Sequence, residues 1–106
     1  MTRTDPVNPA TVLHLALRTD WHHARRTGEY RISTLGRTLD QVGFIHCSRD
    51  TAQLATVHHT FYRHVTEPLL VLHIDPTGLD LRIEDDYPHL YGPLPITAVT
   101  AADPYP

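Results

Sequence analysis

The chain has 106 residues, 41% of them apolar, and its 9 arginines face 12 acidic side chains, so the net charge is −3 with all 9 histidines neutral. That length holds one domain with one modest core, no apolar run approaches membrane-spanning length, and no basic run exceeds Arg25-Arg26. A helical membrane span and a broad duplex nucleic-acid footprint are thereby disfavoured, whereas a single nucleotide or an RNA end still fits as a partner.

Residues 1–11 hold two prolines, Asn8 and several threonines, and read as an N-terminal arm before a single α+β domain over 12–106. The opening Met1-Thr2-Arg3-Thr4-Asp5-Pro6 has no apolar signal region and Cys47 has no disulfide partner, so the expected compartment is the cytoplasm. Val12–Leu17 alternates as a strand, with Val12, His14 and Ala16 on one face and Leu13, Leu15 and Leu17 on the other. Both faces are mostly apolar, which predicts a central strand. Thr19 or Asp20 can cap a short helix over 21–27 that Gly28 ends. An extended piece around Tyr30 and Ile32 and a helical turn near Leu39 follow. A second strand over 44–47 sets Phe44, His46 and Ser48 on one face and Ile45 and Cys47 on the other.

Asp50 followed by Gln53 reads as a capping box opening the main helix over 51–65, whose expected buried stripe is Leu54, Val57, Phe61 and Val65. Glu67-Pro68 ends it. The strand over 69–75 is the most apolar of the chain, Pro76-Thr77-Gly78 is a turn, and 79–84 alternates as a strand on Leu79, Leu81 and Ile83. Asp85-Asp86-Tyr87-Pro88 reads as a loop, and 96–101 as a last strand. Early helices with a strand-rich second half predict an α+β fold, a small curved or split antiparallel sheet carrying two helices.

Three histidines fall in strand-like or strand-end segments: His14, His46 in Gly43-Phe44-Ile45-His46-Cys47-Ser48, and His89 in Pro88-His89-Leu90-Tyr91-Gly92-Pro93-Leu94. A buried imidazole needs partners for two ring nitrogens, so hydroxyls and glycine around a histidine suggest a shared pocket rather than packing alone. Each residue also has a structural reading: His14 as a core histidine, Tyr91 as a gap-filling corner ring, and Glu84 with Asp85 and Asp86 as a solvated strand end. Trp21 and Tyr30 could stack on a flat heterocycle or simply pack in the core. No metal is expected, because His22-His23 and His58-His59 are adjacent pairs that diverge on a helix, although a His14, His46 and His89 trio is geometrically conceivable. Ser48 lacks the glycine-flanked elbow of a serine nucleophile, and no glycine-rich phosphate loop is present.

Taken in order, His14-Leu15, Trp21, Ala24, Gly28, Tyr30, the Gly43-to-Ser48 string, Gln53, Phe61, Glu84 and the Pro88-to-Leu94 string resemble the family known as domain of unknown function 952. Members of that family look like distant relatives of the ADP-ribosyltransferase superfamily, which includes the RNA 2′-phosphotransferases. The resemblance implies a split sheet with a cleft for NAD or an ADP-ribose-like group. It implies cofactor contacts from His14, Trp21, Tyr30 and Ser48, with His46 beside Ser48 on the cleft floor. Glu84, His89 and Tyr91 compete for the third superfamily position. Glu84 there would stabilise a ribosyl cation as nicotinamide leaves, whereas His89 or Tyr91 would imply acid–base or phosphate-directed chemistry. The expected function is thus an NAD-utilising transferase or glycohydrolase acting at a ribosyl centre. The alternatives are a non-catalytic domain binding a nucleotide-like metabolite, and a histidine-lined acid–base or metal site unrelated to NAD.

Overall fold

The structure, a computed structural model, describes residues 11–106; the expected arm over 1–11 lies outside the described residues but for Thr11. Strand β1 (Val12–Leu17) runs antiparallel to β6 (Leu69–Ile74), with Val12 opposite Ile74 and Leu17 opposite Leu69. On the other edge of β6 lies β10 (Val99–Tyr105), bulged between Val99 and Ala101. The central strand is therefore β6, not β1. Both faces of β1 are nonetheless covered: Val12 and Ala16 pack into one apolar cluster with Leu70, Leu72 and Ile74, while Leu13 and Leu15 pack into a second with Leu54 and Val57. Two-sided burial explains the doubly apolar sequence without a central position in the sheet.

Helix α1 (Arg18–Thr27) begins three residues before the expected start, and its N-cap, Leu17, makes no side-chain cap bond. The strand feeds directly into the helix, so Thr19 and Asp20 are already inside it. The far end is as expected: Gly28, at φ 99°, takes the left-handed conformation and its N–H donates to the Ala24 carbonyl. Residues 29–42 resolve into β2 (Glu29–Tyr30), a hairpin of β3 (Ile32–Thr34) and β4 (Arg37–Thr38), and the short α2 (Leu39–Val42). Here the reciprocal capping box belongs to Thr38 and Gln41.

A second three-stranded antiparallel sheet orders β5 (Ile45–His46), β8 (Tyr87–Leu90) and β7 (Leu81–Glu84), with β8 in the middle. Tyr87 and Pro88, expected in the loop over 85–88, are thus the first two residues of a strand. Asp85 and Asp86, both at positive φ, form the two-residue turn that joins β7 to β8. A pair of 2.7 Å backbone bonds between Leu13 and Ser48 stitches β1 to the end of β5. The remaining strand pair joins β2 to β9 (Leu94–Pro95), and a 3₁₀ turn at Ile96–Ala98 precedes β10, which runs four residues further than expected.

The main helix departs most from expectation. After α3 (Thr51–Val57) the chain widens into a π-helical turn, His58–Tyr62. One extra residue in the turn carries the buried stripe from Leu54 and Val57 to Tyr62, and Phe61 is left 51% exposed. The expected alternation of the 79–84 strand also fails at its end, where Ile83 is 57% exposed beside the hairpin turn. The molecule is a small α+β fold of several antiparallel sheets and few helices. No helix among the described residues is long and apolar enough to cross a membrane.

Candidate functional site

Alternation in the second sheet separates its two faces by chemistry. Ile45, Cys47, Pro88 and Leu90 turn to the core, where burial pushes the Cys47 thiol up to about 12 and keeps it unreactive. The opposite face carries Phe44, His46, Tyr87, His89, Tyr91, Arg82 and Glu84. His46 and His89 sit directly opposite one another across β5 and β8, and Arg82 opposes His89 from β7. The result is one row of polar and aromatic side chains spanning three strands.

Within that row Glu84 is the hub. Its Oε1 accepts from His89 Nδ1 at 2.8 Å and from the Tyr91 hydroxyl at 2.5 Å. Those two bonds, Tyr91 first, hold the Glu84 carboxyl below its usual range, so it is an anion at neutral pH. The same contact raises the Tyr91 hydroxyl. His89 Nε2 has no hydrogen-bond partner among the described residues. Phe44 stacks on the His89 ring at 3.9 Å and 15°, and the Arg82 guanidinium lies 4.1 Å over Tyr91. Glu84, His89 and Tyr91, which competed for one position in the sequence, stand together.

His46 neighbours this group, 5.4 Å from the His89 ring and 4.9 Å from the Tyr87 ring. Partial burial and then the charge of His89 lower its pKa, so the imidazole is neutral at pH 7. With Phe44, it walls a cleft of about 230 Å³ that is otherwise lined by Ser33, Thr34, Arg37, Val42 and Phe61. The β3–β4 hairpin supplies the facing wall and the π-helical turn the rim.

The expected cofactor residues lie deeper. His14, 2% exposed, donates from Nδ1 to the His46 carbonyl at 2.7 Å and accepts at Nε2 from the Tyr30 hydroxyl at 3.0 Å. Burial lowers its pKa to about 4. Both ring nitrogens are committed, so His14 is a strut beneath His46 rather than an open ligand contact, and the trio with His46 and His89 is not a shared donor set. Trp21 (9% exposed) and Tyr30 (1%) belong to the first apolar cluster, away from the cleft beside His46, and Tyr30 borders a separate cavity of about 400 Å³ together with Asp20, His23, Glu29 and Thr38. Ser48 is buried where β1 and β5 meet.

Sequence reasoning missed the hairpin wall. Ser33, Thr34 and Arg37 fall in a stretch of sequence without clear periodicity, and a uniform 3.6-residue period places Phe61 in the core where the π turn instead exposes it. Phe44 carried a usable signal, being two residues from His46 on the same strand face.

The fold is similar to crystal structures of protein CC0527 from Caulobacter crescentus: at 26% identity and a TM-score of 0.73, over 89% of this chain and 84% of that one. A double mutant of the same protein gives 25% identity and a TM-score of 0.71 over the same shares. Its solution structure, at 23% identity and a TM-score of 0.66 over 88% and 82%, shows the same fold. No curated protein matches the chain. The model of a family described as "Protein of unknown function (DUF952)" matches residues 15–102, which include every side chain lining the cleft, and the chain belongs to that family.

Proposed function

We propose that the protein is an enzyme that cleaves the nicotinamide–ribose bond of NAD, or handles a related ADP-ribose substrate, in the cleft beside His46. The observation that carries this reading is the row on one sheet face: an anionic Glu84 bonded to both His89 and Tyr91, next to a neutral His46 that opens on the cleft. In the step, the C1″–N bond breaks with its electron pair leaving on nicotinamide, and the ribosyl carbon develops positive charge. The Glu84 carboxylate, which does not line the cleft, opposes that charge at longer range from the row beside His46. Water or an acceptor hydroxyl attacks C1″, and His46 takes its proton. Tyr91 and His89 hold Glu84 in place, and His14 holds the backbone carbonyl of His46.

The test follows NAD, ADP-ribose and nicotinamide by NMR over hours in wild type, His46→Gln and Glu84→Gln. Nicotinamide release in wild type should fall by about 100-fold or more in His46→Gln, the size of a lost general base, and by a smaller factor in Glu84→Gln, whose charge acts from outside the cleft. Because the His46 pKa is lowered, its basic form persists on acidification, and the acid limb of the rate profile is expected below pH 6.5. Failure of wild type to bind any of the three compounds overturns the proposal.

A further inference from the structure

We infer that the hairpin side of this cleft, formed by Ser33, Thr34 and Arg37, is a subsite for a phosphate group of the substrate. The assignment rests on the cleft being the substrate site. Ser33 is 1% exposed, lines the cleft, and its Oγ is the one fully buried side-chain polar atom among the described residues without a hydrogen-bond partner. A buried hydroxyl without a partner is a standing cost to the fold, and such a group is retained where a ligand completes it.

Arg37 supplies the second observation. Arg37, like Arg18, Arg25, Arg26 and Arg63, has no carboxylate partner among the described residues, and of these five it alone lines the cleft. No acidic side chain lines the cleft, so the charge presented there is the guanidinium, on the same wall as Ser33 and Thr34. A cation beside an unpartnered hydroxyl matches the oxygens of a phosphate. At about 230 Å³ the cleft falls below the roughly 300–1,000 Å³ of pockets that enclose a drug-sized ligand, so it takes one such group rather than a whole dinucleotide. The remainder of the substrate would then lie across Phe44 and the exposed Phe61 at the rim.

The experiment titrates inorganic phosphate, and separately ribose 5-phosphate, into ¹⁵N-labelled protein at constant ionic strength. Wild type, Ser33→Ala, Arg37→Gln and Arg31→Gln are compared. Saturable shifts confined to the amides around residues 33–37 are expected, weakened by about tenfold or more in Arg37→Gln, which corresponds to about 1.4 kcal/mol. Arg31→Gln, which removes the same charge outside the cleft, should bind phosphate as wild type does. Ser33→Ala should bind more weakly yet melt at an equal or higher temperature, because it removes an unsatisfied group. Absent or unsaturable shifts, equal binding by Arg37→Gln, equal affinity for acetate, or a lower melting temperature for Ser33→Ala overturns the subsite. Phosphate binding without nicotinamide release would sink the ribosyl chemistry and leave the subsite standing; release without phosphate binding does the reverse.

Discussion

At the scale of single residues, His14 shows how a histidine can be indispensable to a site without entering it. Its ring bridges the His46 carbonyl and the Tyr30 hydroxyl, and each bond replaces water that burial has removed. His14→Ala leaves a cavity and two unpaired groups, and is expected to cost about 2–4 kcal/mol in urea unfolding. Tyr30→Phe strips only the donor to Nε2 and should cost about 1–2 kcal/mol. A loss of activity in either variant without loss of stability would place these residues at the substrate instead. The segment Val12-Leu13-His14-Leu15 marks His14 as buried, but its two partners lie 16 and 32 residues away, and no local pattern names them.

At the scale of elements, the β7–β8 hairpin that carries Glu84 and His89 is tied to the start of α3. Gln53 accepts from the Arg49 N–H at 2.9 Å and donates from Nε2 to the Asp86 carbonyl at 2.6 Å, while Arg49 bonds the Asp86 carbonyl and carboxylate. The expected capping box is half present: Asp50 Oδ1 accepts from the Gln53 N–H at 2.9 Å, but the Gln53 side chain reaches past the cap. Gln53→Ala should therefore cost about 1–3 kcal/mol, through buried groups left unpaired. It should also speed amide hydrogen exchange around residues 84–87 more than elsewhere. Uniform acceleration across the chain would mean that the bridge stabilises the fold without fixing the hairpin. The π-helical turn is a second device of this kind, because one added residue buries Tyr62 and turns Phe61 out to the cleft rim.

For the molecule as a whole, the buried neutral His14 makes stability depend on pH. Its folded pKa, about 4, lies below the ordinary value of 6.5. Between those values the unfolded chain binds a proton that the folded chain does not, so stability is full above pH 6.5 and falls as pH drops toward 4. From pH 7.5 to 4.5 the loss from this group is on the order of 2–3 kcal/mol. Denaturant midpoints measured across that range in wild type and His14→Asn check it. The slope should shrink in the variant, and an unchanged slope would assign the effect to other groups, with His46, also lowered by burial, the first to test.

Local patterns were enough for β1, β6, the end of α1 at Gly28, and the face shared by Phe44 and His46, because strand alternation and a glycine C-cap are set within a few residues of chain. The family resemblance makes Glu84, His89 and Tyr91 rivals for one position, and it is the β7–β8 hairpin, at separations of five and seven residues, that brings His89 and Tyr91 onto one Glu84 carboxylate oxygen. What periodicity could not decide was where the extra residue of the π turn falls, which of two apolar strands is central, and which wall faces His46. Those outcomes depend on contacts between segments far apart in sequence. The Leu13–Ser48 bridge and the hairpin of Ser33 and Arg37 against the second sheet make a cleft from residues that carry no shared local signal.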